Sequence, residues 1–156
     1  LYGGTRHGDA FVIAALKRVT VADELQGTVV ELTDLMLIVT QLSWSVCGPG
    51  AAEVREQLDS LATRLRWQCD GVAARMLELG HVPNGQSRAV AIETDLTPLP
   101  TGLLPANEAR DALGERLEEL AARLTRSGES TVGDPRTAEL LARIHADLMP
   151  AGALRG

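Results

Sequence analysis

The side chains that could bind a metal ion or move a proton are spread thinly along the chain. His7, His81 and His145 fall on three separate segments, which argues against a histidine-built metal centre. Cys47 and Cys69 have no metal-type spacing and read as free thiols of a reducing compartment. One constellation stands out. Arg55, Asp59, Ala62, Arg66, Asp70 and Ala74 recur at steps of three, four and seven, so a helix would carry them on a single face that mixes charge with small residues. Two carboxylates brought close together hold a cation, share a proton or pair with an arginine. No phosphate-binding glycine loop, nucleophile–base pair or zinc pattern accompanies them.

The elements that position these residues are helices. Aromatic residues make up only 3% of the chain, so the core must be built from Leu, Val, Ala, Ile and Met, which favours packed helices over a β-sandwich. Helix one is expected over 21–46, opened by a capping box at Thr20 and Asp23, with Leu25, Val29, Leu32, Met36, Val39, Leu42 and Val46 inward. Within it "LMLIV" (35–39) is apolar all round, the pattern of a helix covered on every side. Helix two is expected over 51–79, after the punctuation of Gly48, Pro49 and Gly50, with Gly80 as its left-handed cap and His81 favourably placed at its negative end. Its core stripe is Val54, Leu58, Leu61, Leu65, Val72, Met76 and Leu79. A long connection over 81–106 carries four prolines and a short helix within "SRAVAIETD". Helix three is expected over 108–126 with Asn107 as N-cap and Gly128 closing it. Helix four starts at Asp134 and Pro135, turns Ala138, Leu141, Ile144 or His145, and Leu148 inward, and stops at Pro150.

The fold class is therefore all-α: a four-helix bundle with a long crossover carrying a short helix, the connectivity of ferritin-like bundles. Residues 1–20 read as a flexible N-terminal arm, 21–149 as the bundle and 150–156 as a C-terminal tail. The chain begins at Leu1 rather than Met, which leads to the expectation of further residues before it. The net charge of −6 argues against strong nonspecific DNA binding by the folded body, while the visible N-terminal segment offers only Arg6, Lys17 and Arg18. No run is long and apolar enough to span a membrane, and the first residues lack the apolar segment of a signal peptide.

Three segments in order carry a resemblance to the Dps family of DNA-protecting mini-ferritins. They are "QLSWSVCGPG", where the family reads histidine–tryptophan–asparagine and then Gly-Pro, the crossover "LELGHVPNGQSRAVAIETDLTPLP", and "DPRTAELLARIHADL" at the last helix. The resemblance implies a homo-oligomer, a dodecameric shell of twofold dimers in the cytoplasm, with the nucleoid as an alternative location, that oxidises Fe(II) and stores iron during starvation or oxidative stress. It implies that DNA is contacted only through residues outside the visible chain. The family's ferroxidase site lies between two subunits, and its ligands transfer as follows: the first-helix histidine falls on Ser43, the second-helix histidine on Arg55, an aspartate on Asp59, and, from the mate, an acid on Asp70 and a glutamate on Ala74. Only Asp59 and Asp70 keep a ligand, so the resemblance implies iron bound weakly or not at all there and a ferroxidase activity that is impaired. Arg55 then has two readings: it replaces the metal, bridging Asp59 and the mate's Asp70, or it points to solvent. Asp134 and Glu139 align with the acidic start of the last helix, where such shells line an ion pore, although an N-cap role suffices for Asp134. Trp44, beside the site, fits a dimer contact. The departures leave a second function open, a non-catalytic structural or DNA-associated shell protein without iron oxidation.

Overall fold

In the computed structural model the backbone is described for residues 7–152 and the side chains for 21–148. The elements are α1 (His7–Ser45), β1 (Val46–Cys47), α2 (Ala51–Glu78), α3 (Ser87–Glu93), β2 (Leu104–Pro105), α4 (Ala106–Ser130) and α5 (Pro135–Gly152). Helices α1, α2, α4 and α5 form the four-helix core, with α1 packed on α2, α4 on α5 and α1 on α4, while α3 rides on α1 within the crossover.

The stripes read from periodicity supply most of the core, with Met36, Leu79 and Ala138 only half-buried. Leu25, Leu32 and Leu42 of α1, Leu58, Leu61 and Leu65 of α2, Leu120 and Leu124 of α4, and Leu141 and Leu148 of α5 are all fully buried. Burying a side chain of this size stabilises the fold by about 1.5–3 kcal/mol. Of "LMLIV", Leu35, Ile38 and Val39 are buried, Met36 is half-buried and Leu37 faces outward, so one part of the all-apolar helix is uncovered in the single chain.

Several boundaries differ from expectation. Helix α1 begins at His7, before residue 21, so Thr20 lies within it and is no N-cap; no proline interrupts 7–45. The arm assigned to 1–20 and the tail assigned to 150–156 lie outside the residues whose side chains are described. Helix α4 starts at Ala106 with Pro105 at the N-cap, not Asn107, because the extended Pro105 leaves β2 directly into the first turn. Gly128 lies inside α4, whose end is instead held by Thr131. The Thr131 backbone N–H reaches the Ser127 and Gly128 carbonyls, and its hydroxyl donates to Ser127 O. Pro150 does not stop α5, which runs to Gly152; this near the terminus a missing N–H forfeits only one ladder bond.

At the end of α2 the cap forms as expected. Gly80 has φ 83, its N–H bonds Leu77 O, and the His81 N–H bonds Met76 O. This paired arrangement satisfies carbonyls that the helix leaves without partners.

The sequence offered no sign of the parallel pairing of β1 with β2, Val46 opposite Leu104 and Cys47 opposite Pro105. It ties the turn after α1 to the end of the crossover. The crossover is fastened along its length. Gln26 and Asn84 exchange two hydrogen bonds, the Thr94 hydroxyl donates to Asp34 at 2.6 Å, and Thr97 donates twice to Glu119. Arg116, 3% exposed, donates to the carbonyls of Thr97, Pro98 and Ala112.

Candidate functional site

Helix α1 ends at Ser45, so the carbonyls of its last turn have no helical partners and carry partial negative charge. Arg55, one turn into α2, turns back over this end. Its Nε donates to Ser43 O at 3.2 Å and its Nη2 to Val46 O at 2.7 Å. Residues 43 and 55 thus meet, through a guanidinium on a backbone carbonyl. Arg55 does not pair with Asp59 within the chain, which corrects the intrachain half of the bridge reading. The physical reason is competition: the carbonyls at the end of α1 are fixed in place by the helix, whereas Asp59 is exposed on α2.

Asp59 and Asp70 lie on one helix, roughly 16 Å apart along its axis at 1.5 Å per residue. They cannot meet within one chain. Asp70 pairs with Arg66, whose Nε lies 3.1 Å from Oδ1, an exposed pair one turn apart. Asp59 takes part in no ion pair among the described residues. Ala74, exposed, offers no ligand atom. Trp44 follows Ser43 and is 73% exposed. Among the described residues of the single chain, no group of three or more His, Cys, Asp and Glu side chains could hold a metal ion. The donor set at the transferred positions fits Fe(II) poorly: a hydroxyl, two carboxylates, a methyl group and a guanidinium that cannot lose its proton.

The remaining candidates are placed as follows. Asp134 caps α5: its carboxylate accepts from the Thr137 N–H and hydroxyl. Arg75 of α2 reaches it through Nη2, at 3.0 and 2.8 Å from the two oxygens. Burial works to raise the Asp134 carboxyl, but the bonds from Arg75 and Thr137 outweigh it and hold it below the usual 3.8. Glu139 is exposed on the same helix. Replacing Asp134 by alanine removes both a cap and a charge-assisted pair, and a loss of about 2 kcal/mol is expected. Because the folded pKa is lowered, this stabilisation is present above the ordinary carboxylate pKa and lost as pH falls below it. Acid denaturation of wild type and Asp134→Ala should therefore converge below pH 3.8, a convergence that urea titrations would show.

His145 is half-buried in a groove between α4 and α5, beside Leu124, Glu129 and Val132. The side chain of His7 lies outside the described residues. Both cysteines are free. Burial pushes the Cys69 thiol up, against the opposing hydrogen bond with Thr33, so it is no ready nucleophile.

A second apolar feature flanks Ser43. A groove of about 460 Å³ between α1 and the crossover is lined by Leu37, Ile38, Trp44, Leu96, Pro98 and Leu99, among others. Sequence reasoning also missed a buried acid, Glu31, which sits between two core residues of α1. Its one available signal was a charge inside the run "TVVEL".

The chain is 32% identical over 131 residues to the DNA protection during starvation protein of Agrobacterium fabrum, an alignment covering 83% of this chain and 81% of that protein. It is 38% identical over 78 residues to the fine tangled pili major subunit of Haemophilus ducreyi, covering 50% of this chain and 41% of that protein. Among solved structures, Dps92 of Deinococcus radiodurans superposes with a TM-score of 0.86 at 23% identity, over 89% of this chain and 86% of that one, a likeness of fold. No family model matches the chain.

Proposed function

Because the chain belongs to the Dps family, we propose that it assembles as a hollow shell that sequesters iron under oxidative or starvation stress, with rapid iron oxidation lost at the position between subunits. The observation that carries this reading is the guanidinium of Arg55 planted on the carbonyl of Ser43, where two imidazoles would be needed. A fixed positive charge there repels the cation that oxidation requires. Iron held on other carboxylates would oxidise slowly. Mixing the protein with Fe(II) and peroxide tests the proposal: an initial rate matching a protein-free blank supports it, and rapid consumption contradicts it.

The groove beside Leu37 and Trp44 supports a twofold dimer as the unit of assembly, because a second copy would cover the uncovered part of "LMLIV". Leu37→Glu places a charge in that contact. It is expected to lower the dimer affinity at least about 100-fold, as a buried unpaired charge does, leaving a smaller species by light scattering.

The cytoplasm, and the nucleoid if DNA is bound, are the compartments that family membership suggests. No helix among the described residues is long and apolar enough to cross a membrane. The net charge of −6 gives little support to a DNA contact by the folded body itself. The likeness to a pilus subunit favours a second reading, a structural shell or assembly protein without iron chemistry. A protein that assembles but takes up no iron over hours would favour it over the first.

A further inference from the structure

Glu31 lies on α1 between Val30 and Leu32, both fully buried, and its own side chain is 3% exposed. Its Oε1 faces Arg123 Nη1 of α4 at 3.4 Å, long for a charge-assisted hydrogen bond. Its Oε2 has no hydrogen-bond partner, and neither has Arg123 Nε. Both members of the pair are thus incompletely satisfied, the carboxylate fully buried and the guanidinium half-buried, an arrangement that disfavours the charged carboxylate. Gly27 makes room for the guanidinium: a Cβ there would stand 1.8 Å from Arg123 Nη2. Arg123 Nη1 also lies 3.6 Å from Asp95 Oδ2, on the crossover, and that carboxylate is open to water.

The charged surroundings of Glu31 are Arg123 and Arg126 from α4, Asp95 from the crossover and, one face along α1, Glu24, which accepts from the Ser127 hydroxyl. Burial pushes the Glu31 carboxyl up from 4.5 to about 7; Arg123 opposes this, Asp95 adds to it and Arg126 opposes it.

We propose that Glu31, Arg123 and Asp95 form a proton-operated latch between α1, α4 and the crossover, in which Glu31 binds one proton from solvent at Oε2 and Arg123 passes from Glu31 to Asp95. The only covalent change is the new O–H bond, and the site gains one positive charge. Thr94 and Leu96, the neighbours of Asp95, help line the groove beside Leu37 and Trp44. The hold of the bundle on that wall is therefore firmer in mild acid than in alkali.

The folded pKa is raised above the unfolded one, so the stabilisation is fully present below about 4.5 and is lost as pH rises through about 7. Across that window one extra proton is bound in the folded state, and the folding equilibrium constant falls about tenfold per pH unit. Glu31→Gln should lack this component.

Infrared difference spectra of the assembled protein read the proton directly. Wild type minus Glu31→Gln should show the stretching band of a protonated carboxyl in mild acid, lost with a midpoint near 7. Asp95→Asn should move that midpoint downward, because Asp95 helps keep the proton on. Absence of the band at pH 6, or a midpoint near 4.5, overturns the proposal, and an unmoved midpoint in Asp95→Asn overturns the transfer of Arg123. If Glu31→Gln fails to fold, glutamate-labelled wild type gives the same reading, since the isotope shift assigns the band to a glutamic acid.

Discussion

Replacing Ser43 and Arg55 by histidine and Ala74 by glutamate is expected to switch on rapid Fe(II) oxidation in a protein that otherwise matches the blank. The three changes remove the positive charge and supply two imidazoles and a carboxylate beside Asp59 and the mate's Asp70. Loss of an outer partner of a metal ligand alone changes affinity or activity 10–100-fold, so restoring three direct ligands is expected to raise the initial rate at least about 100-fold. The individual changes separate the causes. Arg55→His alone should stay near the blank, because Ser43 and Ala74 still supply no ligand. It should also lose stability, about 1–3 kcal/mol, because the carbonyls of Ser43 and Val46 lose the donor that satisfies them at the end of α1. Stopped-flow absorbance for the rate and urea titration for the stability check the two effects separately. If Arg55→His left stability unchanged, Arg55 would have no role at the end of the helix.

The second large effect is structural. Arg116→Ala is expected to destabilise the chain by about 3 kcal/mol, the upper end for losing hydrogen bonds made by a charged donor. Arg116 is the point at which α4 grips the crossover: Nε holds Thr97 O at 2.9 Å and Nη2 holds Pro98 O at 2.6 Å. Both carbonyls precede or belong to prolines' segments, "TPLP", where the backbone has few donors of its own. Removing the guanidinium leaves two part-buried carbonyls of the crossover without that partner. Arg116→Lys should recover little, because a point charge on a flexible stem cannot reach carbonyls in several directions at once. For a chain of this size the alanine change should lower the melting temperature by roughly 10 °C, readable by circular dichroism.

Much of the fold was legible because leucine periodicity reports burial directly: the stripes from Leu25 to Leu42 and from Leu113 to Leu124 are the core they predicted. Helix ends were less legible. Asn107 and Gly128 carry the usual cap signals, yet α4 is capped by Pro105 and Thr131, because β2 and the Thr131 hydroxyl decide those ends through contacts that composition does not show. The candidate site was legible as a set of replacements only through the family resemblance. The partner that Arg55 chooses was not, since it depends on where α1 stops and which carbonyls point outward there. Glu31 escaped for a related reason. A single stripe describes one buried face, but α1 packs against both α2 and α4, so residues off the stripe are buried too.

The most direct test of the central claim is anomalous diffraction from crystals soaked in Fe(II) or Zn(II). With the guanidinium of Arg55 on the carbonyls of Ser43 and Val46, no ordered ion is expected between Asp59 of one subunit and Asp70 of its mate. A fully occupied anomalous peak between those two carboxylates would contradict it.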